Sequence, residues 1–194
     1  MPELTPDQAI LFQKGKEMGE QGHHAYAVEL LGHLVKEVPE LIEARRLLRA
    51  SEIAEQKAKP SWIRRLQTIV LWMKARLVLG QSPFKKMEIA EEILAVTPLH
   101  RHGNALLAEA AASAGLHEVC ILAHETLCRA FPGNISHFKN LGKVCLSTGR
   151  LAAAQAAYEK ALRLNPHDGE TIKGLKDACA LQATSSGGWD KNIG

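Results

Sequence analysis

The stretch NISHFKNLGKVCLSTGRLAAAQAAYEKALRLNPHDGE, residues 134–170, decides the fold. Its apolar residues recur every three or four positions, which predicts two short helices, each with one inner stripe. The first stripe consists of Phe138, Leu141, Gly142 and Cys145, and the second of Ala154, Tyr158, Ala161 and Leu162. Gly149 favours a turn after the first helix. Pro166 ends the second, because proline disfavours helix in the residue before it.

A helical hairpin of this size needs neighbours of the same kind to bury its apolar faces. Prolines mark the period, because Pro98, Pro132 and Pro166 are spaced 34 residues apart. Pro39 ends an earlier apolar helix in the same way. It lies 59 residues before Pro98, a distance of one 34-residue period plus 25 further residues. The sequence therefore predicts an array of hairpins in which one repeat carries an insertion of about one helix.

The hairpin at residues 134–170 resembles the tetratricopeptide repeat. The resemblance rests on the Leu141–Gly142 pair, and on Gly149, Ala154, Tyr158, Ala161 and Pro166. Phe138 stands in place of the usual tryptophan, and Cys145 in place of the usual aromatic residue that follows the small pair. The resemblance implies an all-α fold, a right-handed superhelical solenoid of helix-turn-helix repeats that binds a partner in its concave groove.

We predict one helical-repeat domain over residues 1–183, followed by a flexible tail at 184–194. Its repeats are expected at about 8–41, 67–100, 101–134 and 135–168, with an extra helix at about 40–58 and a capping helix at about 169–182. The segment 40–58 has a helical stripe but lacks the small-residue pair. Helices predicted at 62–79 and 84–96 fit the frame that ends at Pro98, although Lys74 stands at its close-packing site.

The resemblance implies that the first helix of each hairpin lines the groove. The partner-binding residues carried over in this way are Phe12, Leu71, Trp72, Ala75, Leu106, Glu109, Lys139, Asn140 and Lys143. The middle of this set is apolar and its end is basic, which suits a helix or peptide segment of another protein. A subclass of the family holds the terminal carboxylate of chaperone tails, but Phe12, Ala105 and Leu106 depart from that subclass. The extra helix or Trp189 of the tail is an alternative occupant.

A basic stretch at residues 56–87 carries eight Lys or Arg residues and no acidic residue. With its two tryptophans it suits docking on an anionic membrane, a filament or another polyanion. The residues of this candidate surface are Trp62, Arg64, Arg65, Lys74, Arg76, Lys85 and Lys86. The alternative is the solvated face of an ordinary solenoid helix, because charge runs are often no more than that. Nucleic acid is not expected as the partner.

Metal binding, catalysis and export are not predicted. His117, Cys120, His124 and Cys128 share one helical stripe, but one straight helix offers poor tetrahedral geometry and these sites suit packing. No catalytic motif or phosphate loop is recognised, so no enzyme activity and no cofactor are expected.

We expect no secretory signal and no apolar span, and the four cysteines form no CxxC pair. We therefore expect reduced, buried cysteines and a cytoplasmic location. Self-association through the Trp189 tail is a third hypothesis.

Overall fold

The computed structural model of the protein describes residues 2–56, 69, 73 and 82–186, and every regular element among them is an α-helix. The all-α fold class predicted from the sequence is confirmed. None of the described helices is long and apolar enough to cross a membrane. The helices are α1 (Pro6–Glu20), α2 (His24–Glu37), α3 (Ile42–Gln56), α4 (Pro83–Val96), α5 (Arg101–Ser113), α6 (His117–Ala130), α7 (Ile135–Ser147), α8 (Leu151–Leu164) and α9 (Gly169–Ser186).

The chain forms two compact units, Met1–Cys120 and Ile121–Gly194, whose boundary falls within α6. In the first unit α1 packs on α2, α2 packs on α3, and α4 packs on α5, while α3 contacts both α1 and α4. In the second unit α7 packs on α8 and α8 on α9, and α9 also contacts α7. In each unit, helices that follow one another in the chain contact each other.

Side chains of the preceding residues fix the starts of several helices. Thr5 accepts a hydrogen bond from the Gln8 backbone N–H at 3.3 Å, and the Thr5 backbone N–H donates to Gln8 Oε1 at 3.1 Å. This reciprocal capping box opens α1. The Ser82 hydroxyl accepts from the Lys85 N–H at the start of α4, and Asn134 Oδ1 accepts from the Ser136 N–H at the start of α7.

Three hairpin turns contain a glycine in the left-handed conformation, and one of these glycines is the predicted Gly149. Gly22, Gly115 and Gly149 have φ values of +84°, +73° and +74°. Side chains disfavour this left-handed conformation, whereas glycine adopts it freely. The shared geometry indicates that the α1–α2, α5–α6 and α7–α8 connections are the same kind of turn.

The core of the first unit centres on Leu31 and Leu34 of α2, which are fully buried. They belong to a cluster that also contains Ala44 and Leu48 of α3. Gly15 of α1 lies against this cluster, and a Cβ atom added to it would lie 2.8 Å from Leu31 Cγ. The absence of a side chain at Gly15 therefore sets the distance between α1 and α2.

The core of the second unit is organised around the ring of Tyr158 on α8, which is 3% exposed. Gly142 of α7 faces this ring, since an added Cβ would lie 2.6 Å from Tyr158 Cε1. Gly174 of α9 faces it as well, with an added Cβ 2.5 Å from Tyr158 Cζ. Tyr158 therefore packs against two glycines and joins three helices.

The capping helix has a different inner face from the one expected. Helical spacing in the sequence predicts an inner stripe of Ile172, Leu175 and Cys179, but the buried residues are Thr171, Gly174 and Ala178. The helix turns its small residues towards the large ring of Tyr158, which leaves Cys179 exposed. The prediction that all four cysteines are buried is wrong for Cys179. The other three are buried, and none of the four forms a disulfide in the described part of the chain.

The segment expected to form an extra helix at 40–58 contains α3. Of the helix predicted at 62–79, the described residues are Ile69 and Met73, which are helical and exposed. The rest of that helix lies outside the described residues, as does most of the tail predicted at 184–194. The division of the chain into repeats therefore stays a prediction.

Candidate functional site

The predicted basic end of the groove lies on α7, and carboxylates of the same chain already bind it. The Lys139 ammonium lies 3.0 Å from Asp168 Oδ2 and also pairs with Glu170. The Lys143 ammonium lies 2.5 Å from Glu170 Oε1. Asn140, between the two lysines in sequence, is exposed. The structure thus places the three predicted residues on one helix and adds two acidic residues from the start of α9.

These pairings shift the titration of the groups involved. Hydrogen bonds from Thr171 and then from Lys139 lower the pKa of Asp168 to about 2. Hydrogen bonds from Lys139 and Lys143 lower the pKa of Glu170 as well. The two carboxylates in turn raise the pKa of Lys139. All of these groups are therefore charged near neutral pH, and this face of α7 can hold a carboxylate.

The predicted partner-binding residues of the first unit share their surface with its core. Phe12 is partly buried against the α2–α3 cluster, and Leu106 is partly buried against Ile89 and Ile93 of α4. The Glu109 side chain is 70% exposed, and its Oε1 lies 3.8 Å from the Lys86 ammonium. The apolar members of the set therefore offer edges of side chains rather than whole side chains.

The two described members of the candidate basic surface both have acidic partners. Lys85 pairs with Glu88, and Lys86 pairs with Glu109. Glu88 lies just beyond the basic stretch, three residues after Lys85, whereas Glu109 belongs to α5. The predicted residues that lie outside the described part of the chain are Trp62, Arg64, Arg65, Leu71, Trp72, Lys74, Ala75 and Arg76.

A buried ionic network, which the sequence did not reveal, joins α3 to α4. Arg45 pairs with Glu91, and Arg49 pairs with both Glu52 and Glu91, the latter at 2.7 Å between Nη2 and Oε2. Arg45 also donates to the backbone carbonyl of Pro39 at 3.1 Å. Arg45 is 1% exposed and Glu52 is 3% exposed. The only signal in the sequence was a set of charges at helical spacing within α3.

The two carboxylates of the network respond differently to burial. Burial raises the pKa of Glu52 to about 7, against the opposing charge of Arg49. Burial also tends to raise the pKa of Glu91, but Arg49 and Arg45 outweigh it and hold that pKa below its ordinary value. Glu91 is therefore the ionised centre of the network, and Glu52 is the group that takes up a proton most readily.

The histidine and cysteine stripe of α6 has the properties of packing residues. Burial lowers the pKa of His124 to about 4 and raises the pKa of Cys128 to about 12. Both side chains are therefore neutral near pH 7, as is usual for buried packing residues. Within residues 2–56 and 82–186 no group of three or more His, Cys, Asp or Glu residues is placed to hold a metal ion.

Comparisons with known proteins agree with the helical-repeat fold. The sequence profile of the tetratricopeptide repeat matches residues 138–168. No curated protein sequence matches the chain. The first tetratricopeptide domain of human RPAP3 has a TM-score of 0.53 and 15% identity, over 63% of this chain and 98% of that one.

Two further structures are similar at comparable identity. The first tetratricopeptide domain of Spaghetti (RPAP3), bound to the HSP90 peptide SRMEEVD, has a TM-score of 0.51 and 16% identity, over 61% of this chain and 94% of that one. MamA of AMB-1 has a TM-score of 0.47 and 15% identity, over 91% of this chain and 89% of that one. The likeness to the two RPAP3 domains shows a shared fold.

Proposed function

We propose that the chain, whose residues 138–168 match the tetratricopeptide repeat, is a non-enzymatic interaction scaffold. It binds a helix or peptide segment of another protein on the outward faces of its first helices. The observation that carries the proposal is the face of α7, where Lys139 and Lys143 lie one turn apart and converge on the carboxylate of Glu170. A carboxylate of a partner segment would take the place of Glu170 there.

The chemistry of this face sets the kind of partner. Lys143 and Glu170 form a solvent-exposed pair that contributes little to stability, so its exchange for an equivalent pair is nearly neutral. Helices that are already folded need little ordering on binding, which favours capture of a flexible segment. The RPAP3 domain solved with a peptide illustrates such capture for the same fold.

Site-specific photo-cross-linking tests the proposal. A benzophenone amino acid replaces Ala105 of α5 or Asn140 of α7, both exposed residues on first helices, in the full chain. Matched controls carry it at Ala25 of α2 or Ala156 of α8, which are also exposed but lie on second helices. We expect discrete cross-linked proteins from lysate with the first two variants only. Equal labelling from both groups of positions would contradict the proposal.

The alternative of docking on an anionic membrane, filament or other polyanion stays a prediction. Most of its residues lie outside the described part of the chain, and Lys85 and Lys86 pair with acids. Binding of this kind would fall steeply with salt, which a flotation assay with anionic vesicles measures. Self-association through the tail and a cytoplasmic location also stay predictions.

A further inference from the structure

We infer that α3 and α4 are the two helices of a single repeat, which residues 57–81 interrupt. In this assignment α3 is the first helix of the second repeat and not an extra helix. It therefore supplies that repeat's share of the partner-binding surface. This last consequence rests on the proposed function, whereas the assignment of α3 and α4 does not.

The spacing of the helices supports the assignment. In the α5–α6 and α7–α8 hairpins the starts of the two helices differ by 16, at 101 and 117 and at 135 and 151. The starts of α3 and α4, at 42 and 83, differ by 41, which is 16 plus 25. The segment 57–81 accounts for this excess of 25. Its removal would bring α3, α4 and the prolines at 39 and 98 into the common period of the later repeats.

The contacts of α3 and α4 with their other neighbours agree with the spacing, while α3 and α4 themselves approach at only a few residues because arginine and glutamate side chains lie between them. α3 packs on α2 and also contacts α1, just as α9 packs on α8 and also contacts α7. Each of these helices therefore follows a hairpin in the way that the first helix of the next repeat would. α4 packs on α5 as α2 packs on α3, which is the relation of a second helix to the helix that follows it.

Side-chain volumes are exchanged between the same two sites. In α1–α2 and α7–α8 a glycine of the first helix faces a large residue of the second: Gly15 faces Leu31, and Gly142 faces Tyr158. The common repeat frame, with 57–81 omitted, places Arg49 and Ala90 at these sites in α3 and α4. Both are buried, at 8% and 0% exposure. A large residue opposite a small one fills the same space with the order reversed.

The buried charges then explain why the repeat is hidden in the sequence. Arg45 and Glu52 occupy the sites of Phe138 and Cys145, where the family usually has aromatic residues. Arg49 reaches Glu91, the residue next to Ala90, so the network spans the two helices that the frame pairs. The turn-glycine site falls on Gln56, the residue after which the interruption begins.

The same frame identifies the outward residues of the second repeat. Arg46, Leu47 and Ala50 take the positions that Lys139, Asn140 and Lys143 hold on α7. Arg46 and Ala50 are exposed, and Leu47 is partly buried against the α2–α3 cluster. These three residues replace Leu71, Trp72 and Ala75 in the candidate surface.

Replacement of residues 57–81 by a Gly/Ser linker of equal length tests the assignment in the full chain. We expect amide hydrogen exchange at Ile89, Ala90 and Ile93 of α4 to stay within about tenfold of the wild type. A matched control replaces residues 42–56 by a Gly/Ser linker, and we expect α4 protection to be lost there. Loss of protection with the first linker, or its retention with the second, would overturn the assignment.

A deletion tests whether α3 and α4 have the same repeat register as the later hairpins. Residues 57–81 are removed and Gln56→Gly restores the turn glycine, which leaves a short turn before α4 like those at 114–116 and 148–150. We expect α4 protection to be retained. Its loss in the deletion, with the linker variant still protected, would contradict a register shared with the later repeats.

Cross-linking separates this inference from the proposed function. A benzophenone amino acid at Ala50 of α3 is compared with one at Ala95 of α4, since both alanines are exposed. We expect Ala50 to label the same proteins as Ala105, and Ala95 to label none of them. Labelling from Ala105 without labelling from Ala50 would remove α3 from the surface and leave the proposed function standing. Failure at Ala105 and Asn140, with α4 protection intact, would overturn the function and leave the repeat assignment standing.

Discussion

The α7–α8 and α3–α4 pairs bring two helices together by opposite means. In α7–α8 a glycine admits the ring of Tyr158, and the contact is held by close packing. In α3–α4 two arginines and two glutamates lie between the helices, and the contact is held by ion pairs. In both pairs, complementary side chains hold the two helices together. These side chains need not be the signature residues of the repeat.

The two solutions differ in their sensitivity to change. Close packing has no room for an added atom, but it does not respond to pH. A buried ionic network offsets a large desolvation penalty only while every charge is paired, and its stability follows the protonation of its members. Four experiments test this difference between the two helix pairs.

Removal of the shared carboxylate has the largest expected effect. Glu91→Ala leaves Arg45 and Arg49 buried without their common partner, and the free energy of unfolding of the first unit should fall by about 3–5 kcal/mol. Urea unfolding measures it, with Glu88→Ala as the control, because Glu88 belongs to an exposed pair. A loss below about 1 kcal/mol would show that the network does not hold the helices together.

A methyl group at the glycine of α7 has the next largest effect. Gly142→Ala places Cβ 2.6 Å from Tyr158 Cε1, which forces the ring or the helix to move. We expect a loss of about 1–3 kcal/mol in the unfolding free energy of the second unit. Gly133→Ala is the matched control, since a Cβ there meets nothing within 4 Å. Equal stability of the two variants would contradict the close-packed account.

Titration of Glu52 gives the α3–α4 pair a pH dependence that α7–α8 lacks. Its pKa is about 7 in the folded protein against an ordinary value of 4.5, so folding takes up a proton between these values. The resulting stability is complete below pH 4.5 and is lost as the pH rises through about 7. Between pH 5 and pH 8 the wild type should therefore lose on the order of 2 kcal/mol through this group.

Glu52→Gln tests this sign. The variant keeps a neutral side chain of the same shape at the site, so its unfolding free energy should decline less than that of the wild type over the same pH range. Urea midpoints at pH 5 and pH 8 measure the two slopes. Identical slopes in both proteins would mean that Glu52 does not take up the proton.

The smallest expected effect concerns the exposed pair on α7. Glu170→Gln removes the partner of Lys143 and should leave the unfolding free energy nearly unchanged, because the pair is solvent-exposed. The same change frees the lysine for a carboxylate of the partner. We expect stronger cross-linking from Asn140, with Lys176→Gln on the outer face of α9 as the control. Unchanged cross-linking would argue against carboxylate exchange at this site.

The sequence predicts the α7–α8 hairpin well because its signature residues are also its contacts. Gly142, Tyr158 and Gly149 are local features whose spacing is enough to place two helices and a turn. The same reasoning did not reveal the ionic contact of α3 with α4, because Arg45, Arg49 and Glu52 look like surface residues until Glu91 is brought beside them. A partner on a helix so far along the chain cannot be read from helical periodicity.

The candidate site shows the same limit. The sequence places Lys139 and Lys143 on one helix, but it does not show that Asp168 lies against Lys139 from 29 positions further along the chain. The observed inner face of α9 lies one residue away from the predicted face for a related reason. Its contact is the ring of Tyr158, which belongs to another helix. Pairings between helices decide both features.

Native-state hydrogen exchange of the wild type in increasing urea tests most directly whether α3 and α4 form one repeat. The buried amides of α3, at Leu48 and Arg49, are compared with those of α4, at Ile89 and Ile93. Helices of one repeat should open together, with the same free energy and the same dependence on urea. Exchange of the α3 amides at a distinctly lower free energy, with α4 still protected, would mark α3 as an independent helix and contradict the account.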